Sequence, residues 1–195
     1  MTPYYQHAGI TIYHGDCREI LPQLRGVDLI LADPPYPNMT GRVSRYVQTP
    51  IDILDIHACQ QFVFWHASGV FPLSFGAVHI WDKKTGCQSE YERIFERNSA
   101  NGQWKVFRHY LINSTVAASF TNDEFTGHPS QKPQRLIREL IRRTIAQNIC
   151  DPFMGSGTTL SVAKDLSKSA IGIEIEEKYC EIAAKRLSQE VLQFT

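Results

Sequence analysis

Asp33-Pro34-Pro35-Tyr36 brings a carboxylate, a backbone carbonyl and an aromatic ring together directly after an apolar run, residues 27–32. The run predicts a buried strand, which the two prolines must end because proline cannot donate a ladder hydrogen bond. The Asp33 carboxylate and the Pro34 carbonyl could accept both hydrogens of an NH2 group on a planar substrate, with Tyr36 stacked on its ring. Without a second ligand-binding pattern, a rigid turn with an exposed aspartate is the favoured interpretation.

The second pattern is a glycine-rich segment, Asp151-Pro152-Phe153-Met154-Gly155-Ser156-Gly157-Thr158-Thr159, between a predicted strand and a predicted helix. Glycines there let a ligand approach the backbone, and the helix N-terminus offers free N–H groups. Glu174 ends the next predicted strand, where an acidic residue can accept both hydroxyls of a ribose. The segment lacks the lysine of a P-loop, and Leu160 stands where a dinucleotide fingerprint has Gly or Ala. A ligand with an adenosine-like ribose is therefore favoured, although the glycines alone also fit an ordinary strand–helix turn.

Strands and helices are expected to alternate around these two patterns. The predicted strands are 10–13, 27–32, 77–81, 104–112, 148–150 and 170–173. The predicted helices are 52–70, 90–97, one from Pro133 with apolar residues at 136, 137, 140, 141 and 145, 158–166 and 177–193. This alternation predicts a single α/β domain over residues 1–195 with a mostly parallel sheet.

Composition limits the function classes. The chain has 195 residues, 43% of them hydrophobic and 21% charged, which is typical of a globular domain. No apolar run is long enough to span a bilayer, and the N-terminus does not resemble a secretory signal. The five cysteines are scattered, which argues against disulfides and zinc clusters and favours a reducing, cytoplasmic location. Because the net charge is zero, a nucleic-acid partner must be held by a local patch or a specific pocket.

Taken in order, these motifs resemble those of β-class DNA amino-methyltransferases, which methylate adenine N6 or cytosine N4. Asp33-Pro34-Pro35-Tyr36 resembles their catalytic motif IV, and the glycine-rich segment resembles their S-adenosylmethionine motif I. Motifs X, II and III are similar to His128-Pro129-Ser130-Gln131-Lys132-Pro133, Gly172-Ile173-Glu174 and Gly15-Asp16-Cys17. The resemblance covers residues 9 to about 187. It implies a Rossmann-like, doubly wound, mostly parallel sheet of seven strands with helices on both faces.

The resemblance also implies the site. S-adenosyl-L-methionine is the expected cofactor, S-adenosyl-L-homocysteine is the product, and no metal is required. Glu174 is expected to hold the ribose, Asp16 the adenine amino group beside the Cys17 backbone, and Ser130 and Lys132 the methionine carboxylate. The expected cofactor-binding residues are Asp16, Cys17, Asp33, Ser130, Lys132, Asp151, Phe153, Gly155, Ser156, Gly157, Thr158 and Glu174. The expected catalytic residues are Asp33, Pro34, Pro35 and Tyr36. For Lys132, the alternative is a solvated side chain.

The expected substrate is double-stranded DNA with the target base flipped onto Tyr36. Aspartate at the first catalytic position favours adenine N6. Cytosine N4 remains an alternative, followed by RNA or protein amide methylation and by a non-catalytic binding subunit. Arg42 and Arg45 are candidates for contact with the DNA backbone.

The target-recognition region is minimal and falls within about 84–127, so that the chain resembles the short enzymes of phages and prophages. A second copy could supply the missing DNA-binding surface. For such a homodimer, the candidate contact is residues 90–112, whose aromatic side chains could equally pack the end of the sheet.

Overall fold

The computed structural model describes residues 1–35, 50–83, 91–99, 103, 105–109, 126 and 131–188. Nine strands in these ranges form one sheet. They are β1 (Tyr5–His7), β2 (Ile10–His14), β3 (Leu29–Ala32), β4 (Gln60–His66), β5 (Ala77–Asp82), β6 (Tyr91–Arg97), β7 (Val106–Arg108), β8 (Asn148–Asp151) and β9 (Ser169–Glu174). Their order across the sheet is β1-β2-β9-β8-β3-β4-β6-β5-β7.

The sheet is mixed and mostly parallel, as predicted. The five neighbouring strands β2, β9, β8, β3 and β4 all run in one direction. The strand β6 is antiparallel to both β4 and β5, while β7 is parallel to β5 and β1 is antiparallel to β2. The expected number of seven strands is wrong for this sheet, because the three-residue strands β1 and β7 extend its two edges.

Helices cover both faces, also as predicted, but unequally. The described helices are α1 (Cys17–Ile20), α2 (Gln134–Arg142), α3 (Thr158–Asp165) and α4 (Glu177–Ser188). The three longer helices pack on one face of the sheet, in a core that contains Leu31, Phe62 and Leu140. The other face is covered by α1 and by two 3₁₀ segments, Leu21–Gln23 and Asp52–Ile56. None of the helices that the model describes is long and apolar enough to cross a membrane.

The helix α2 shows how apolar spacing determines position. Leu136, Ile137, Leu140 and Ile141 recur at helical spacing and are all buried against the sheet. Pro133 precedes the helix as its N-cap, which suits a residue that cannot donate an N–H. Because the helix ends at Arg142, Ile145 lies beyond it and is 97% exposed, contrary to the predicted pattern.

Two predicted helices are strands. Residues 52–70 form the 3₁₀ segment Asp52–Ile56 followed by β4, whose five central residues are all buried between two strands. Residues 90–97 form β6. In both segments a few apolar residues happen to lie at helical spacing, and in β6 buried charged residues conceal the alternation of a strand.

The candidate dimer contact in residues 90–112 stays a prediction, but three of the apolar side chains that the structure describes there are buried in the chain itself. Ile94, Phe95 and Phe107 are 0%, 2% and 1% exposed, because β6 is an interior strand and β7 pairs with β5 at the edge of the sheet, whereas Tyr91 is 44% exposed. The predicted strand 104–112 is described only at residues 105–109, where β7 spans Val106–Arg108.

Candidate active site

The predicted acidic residues meet at one edge of the sheet, where parallel strands end. His14 at the end of β2 pairs with Glu174 at the end of β9, and β8 ends beside them at Asp151. Asp16 follows β2, and Asp33 follows β3. Ligands of open α/β sheets bind at this end of the strands. The strand register therefore gathers four carboxylates where a ligand would bind.

Asp33 is held by Lys132, a residue distant in the sequence. The Lys132 ammonium donates to Asp33 Oδ2 at 2.5 Å. The Lys132 side chain is only 10% exposed, so the alternative of a solvated lysine is wrong. The Asp33 side chain is 23% exposed and faces a cleft, while Pro34 after it is buried.

Lys132 has a second carboxylate neighbour that the sequence did not indicate. Glu92 Oε2 lies 3.6 Å from Lys132 Nζ, and Glu92 Oε1 lies 2.6 Å from Lys83 Nζ. The Lys132 ammonium also lies 5.1 Å from the ring centre of Phe64 and 5.9 Å from that of Trp81. Burial alone would lower the pKa of Lys132, but the two carboxylates raise it above its ordinary value. Lys132 is therefore a buried ammonium ion between two anions.

The glycine-rich segment turns between β8 and α3 with two residues in the left-handed region. Gly155 has φ +51° and Gly157 has φ +78°. A Cβ on Gly157 would lie 2.9 Å from the Ala183 Cβ, so this glycine is also required by the packing of α4. Ligand approach is thus not the sole reason for a glycine at this position.

Asp151 is a buried carboxyl group at the base of the turn. It accepts the Phe153 N–H at 3.1 Å and also interacts with the Thr159 hydroxyl. Burial raises its pKa to about 7; these two hydrogen bonds oppose the rise, and the charges of Asp33 and Glu174 add to it. The end of β8 therefore carries a carboxyl group that titrates near neutral pH.

Glu174 joins the end of β9 to the glycine-rich turn. Its Oε2 accepts the Gly155 N–H at 2.9 Å, and its Oε1 accepts the Glu176 N–H at 2.8 Å. Burial raises the pKa of this carboxyl group, while the backbone hydrogen bonds lower it. Each oxygen retains a further lone pair with which it could accept from a ligand hydroxyl.

Asp16 caps α1 and is covered by an arginine. It accepts the Arg18 N–H at 2.9 Å, and the Arg18 guanidinium holds both carboxylate oxygens. Hydrogen bonds from Arg18 lower the pKa of Asp16. The Arg18 side chain is 59% exposed, so a ligand could displace it without disturbing the core. Cys17 is buried on the α1 face of the sheet, and burial raises the pKa of its thiol to about 12.

One cleft contains seven of the predicted site residues, but Asp16, Cys17, Pro34, Pro35 and Gly157 are not in its wall. The predicted site residues in its wall are Asp33, Lys132, Asp151, Phe153, Gly155, Ser156 and Thr158. Glu174 adjoins the cleft through its bond to Gly155. Tyr36, Arg42, Arg45 and Ser130 lie outside the described residues.

The cleft also contains residues that the sequence analysis missed. Gln131 and Thr159 are buried in its wall; both belong to the motifs identified in the sequence but were not named as site residues. Gln131 accepts from the Thr126 N–H and hydroxyl. Phe64 also lines the cleft, but it belongs to a strand that had been assigned as helix.

Comparison with known proteins identifies one family. The family model N6_N4_Mtase, described as DNA methylase, matches residues 78–185, a range that includes the glycine-rich turn and Glu174 but begins after Asp33. The type II methyltransferase M.ScaI of Streptomyces caespitosus is 40% identical, over 96% of this chain and 84% of its own length.

Two solved structures share the fold. The complex of M1.HpyAVI with SAM has a TM-score of 0.59 at 22% identity, covering 92% of this chain and all of the other. The cytosine-N4-specific PvuII DNA methyltransferase has a TM-score of 0.68 at 15% identity, covering 98% of this chain and 90% of the other.

Proposed function

The chain belongs to the DNA methylase family, and from that premise we propose that it transfers a methyl group from S-adenosyl-L-methionine to N6 of adenine in double-stranded DNA. The observation that carries the proposal is the cleft that contains both Asp33 and the glycine-rich turn. A substrate amine at Asp33 and a cofactor on the turn would share one water-restricted space.

The chemistry of the cleft fits the cofactor. S-adenosyl-L-methionine carries a carboxylate, an ammonium and a sulfonium group, and it supplies an electrophilic methyl group when bound. The cleft offers cationic Lys132 beside the carboxyl groups of Asp33 and Asp151. Glu174 and Asp16, at the ends of neighbouring strands, would accept from the ribose hydroxyls and the adenine amine. The relative M1.HpyAVI was crystallised with SAM, which supports this choice of cofactor.

Asp33 and Pro34 would act on the substrate amine. The exocyclic amine of adenine is a poor nucleophile because its lone pair is delocalised into the ring. Two hydrogen bonds, to the Asp33 carboxylate and the Pro34 carbonyl, would localise that lone pair and aim it at the methyl group. The base must leave the duplex to reach the cleft. Tyr36 is assigned the role of stacking on the flipped base from its motif position.

Product analysis tests the proposal directly. The protein is incubated with methyl-labelled S-adenosyl-L-methionine and unmethylated DNA, and the labelled nucleoside is identified after digestion. We expect N6-methyladenine, with no label when Asp33→Ala replaces the native chain. N4-methylcytosine would move the activity to cytosine, the base that the PvuII enzyme modifies. Label in neither nucleoside would overturn the proposed function.

DNA contact beyond the flipped base is also proposed, at Arg42 and Arg45. Their exchange for alanine is expected to raise the KM for DNA and to reduce its salt dependence, because phosphate contacts release counterions.

We further propose that two copies act together, since a domain of zero net charge offers little surface for binding DNA. Light scattering with and without DNA tests this; a monomer in both conditions with normal turnover would refute it.

A further inference from the structure

We infer that Glu92 is a positioning residue for methyl transfer: it anchors the Lys132 ammonium, and Lys132 holds the Asp33 carboxylate in place. The inference rests on the proposed function, in which Asp33 accepts from the substrate amine. Glu92 lies outside every motif that the sequence analysis identified.

The topology of the sheet brings Glu92 to the end of the sheet where the parallel strands terminate and the cleft lies. The strand β6 runs antiparallel to β4 and β5, so its beginning lies where the other strands end. Glu92 is the second residue of β6 and pairs with His66 at the end of β4 and with Trp81 near the end of β5. Lys83 directly follows β5.

Four charges then alternate from the interior to the cleft. Lys83 lies 2.6 Å from Glu92, Glu92 lies 3.6 Å from Lys132, and Lys132 lies 2.5 Å from Asp33. The side chains of Lys83, Glu92 and Lys132 are 10 to 11% exposed, against 23% for Asp33. In such a setting charges are weakly screened, and the position of one ion depends on the next. Asp33 is the member of the series that faces the cleft.

The second carboxylate on Lys132 lessens the competition between the Lys132 ammonium and the substrate amine for Asp33. An ammonium held by Asp33 alone would compete with the substrate amine for the same carboxylate oxygens. With Glu92 as a second acceptor, Lys132 remains fixed while Asp33 turns a lone pair to the amine. Lys83 neutralises Glu92, so that Glu92 does not draw Lys132 away from Asp33. The rings of Phe64 and Trp81 support the ammonium from the apolar side.

A matched pair of variants tests the inference. Glu92→Gln removes the anchor, while Glu96→Gln makes the same exchange on the same face of β6, where Glu96 is 3% exposed and pairs with His79 at 2.9 Å. We expect Glu92→Gln to lower kcat by about 10- to 100-fold, as for a misplaced catalytic group, with a smaller change in the Kd for S-adenosyl-L-methionine because Asp33 still holds the Lys132 ammonium in the cleft. Glu96→Gln is expected to lower the melting temperature and leave kcat within about twofold of the native value.

A double variant separates positioning from stability. Glu92→Gln leaves Lys83 buried beside a neutral partner, and adding Lys83→Met removes that strain while keeping the net charge of the native chain. We expect the double variant to regain melting temperature but not kcat. Recovery of kcat together with stability would show that Glu92 is merely structural and would overturn the inference. If Glu92→Gln does not fold, the double variant provides the test.

The proposed function is judged separately, with the native chain and Asp33→Ala. If the native chain transfers methyl groups, Asp33→Ala does not, and Glu92→Gln keeps the native kcat, then the positioning role alone fails. If Asp33→Ala is as active as the native chain, the proposed mechanism fails and the inference fails with it.

Discussion

The two halves of the sheet place their polar residues differently. In the parallel half, formed by β2, β9, β8 and β3, the buried strand residues are apolar up to the last position, and the carboxylates come where strands end. In the other half, formed by β4, β6, β5 and β7, polar residues are buried within the strands. They are Gln61, His79, Glu92, Glu96 and Arg97.

This difference distinguishes polar residues that can meet a ligand from polar residues that hold strands together. A carboxylate at a strand end lies where a ligand can bind, and it is supported by its own turn, as for Asp151 and Glu174, or by a distant lysine, as for Asp33. A carboxylate inside a strand must find a partner on a neighbouring strand, as Glu96 does with His79 and Gln60. The series from Lys83 to Asp33 joins the two arrangements, because it starts after β5, in the half that contains β4, β6, β5 and β7, and ends at the cleft. The comparison predicts that strand-end residues govern catalysis and binding, and that strand-interior residues other than Glu92 govern stability.

The largest effect is expected at Asp33. Asp33→Ala should lower kcat by about a thousandfold or more, since the substrate amine loses its charged acceptor. Cofactor affinity should change little, because Lys132 still has Glu92 as a partner. Single-turnover kinetics and calorimetry measure the two quantities. Near-native turnover of Asp33→Ala would show that Asp33 is not part of the mechanism. It would also argue against a catalytic role for the strand-end residues.

Arg97 tests the opposite side of the comparison. It is 4% exposed and donates to Gln61 Oε1 at 2.7 Å and to the Ser74 carbonyl at 2.7 Å, with Asp55 as its ion-pair partner. Arg97→Met leaves the buried Gln61 carbonyl oxygen without its donor and should reduce the free energy of unfolding by about 1 to 3 kcal/mol, whereas the Asp55 side chain is 59% exposed and can turn to water. The kcat of the folded fraction should remain native.

The control for Arg97 is another arginine with an aspartate partner, placed at the surface. Arg138→Met on α2 removes the pair with Asp165; the Arg138 side chain is 27% exposed against 4% for Arg97, and its loss should cost less than about 1 kcal/mol. Urea denaturation compares the two variants. If both variants lose the same free energy of unfolding, then the burial of Arg97 in β6 does not determine the cost of removing it.

The same contrast explains how much the sequence could predict. The residues around Asp33 and the glycine-rich turn form continuous motifs, so their positions at strand ends followed from local patterns. The strand β6 was predicted as a helix because Glu92, Glu96 and Arg97 occupy positions where a strand usually carries apolar residues. Their partners lie in other segments of the fold and not at neighbouring positions of the same strand. Local periodicity contains no information about such partners, and the contact between Glu92 and Lys132 could not be predicted for the same reason.

The buried carboxyl group of Asp151 predicts how the free energy of unfolding depends on pH. Its pKa is about 7 in the folded protein because burial favours the neutral acid, whereas an unfolded chain has an ordinary aspartate. Between about pH 4 and pH 7 the unfolded chain therefore binds fewer protons, and the free energy of unfolding falls as the pH rises. Asp151→Asn should remove this slope and stabilise the protein above neutral pH, by at most about 4 kcal/mol. Melting temperatures across this pH range measure the effect; parallel curves for both proteins would contradict it.

A smaller effect than at Asp33 is expected at Glu174, where a strand-end residue has both a ligand role and a structural one. Glu174→Ala should weaken the binding of S-adenosyl-L-methionine by about 1 to 3 kcal/mol, since the ribose loses a charged acceptor. The same change frees the Gly155 and Glu176 N–H groups, so a weaker affinity alone would not distinguish a lost ribose contact from a loosened turn. Glu174→Gln keeps one carbonyl oxygen for a backbone N–H but cannot accept at both positions. If calorimetry gives native affinity for both variants in folded protein, the carboxylate serves only the turn. If the affinity falls for both variants and the melting temperature of Glu174→Gln is unchanged, the Glu174 carboxylate contacts the ribose. That result would support strand ends as the ligand-binding positions of this sheet.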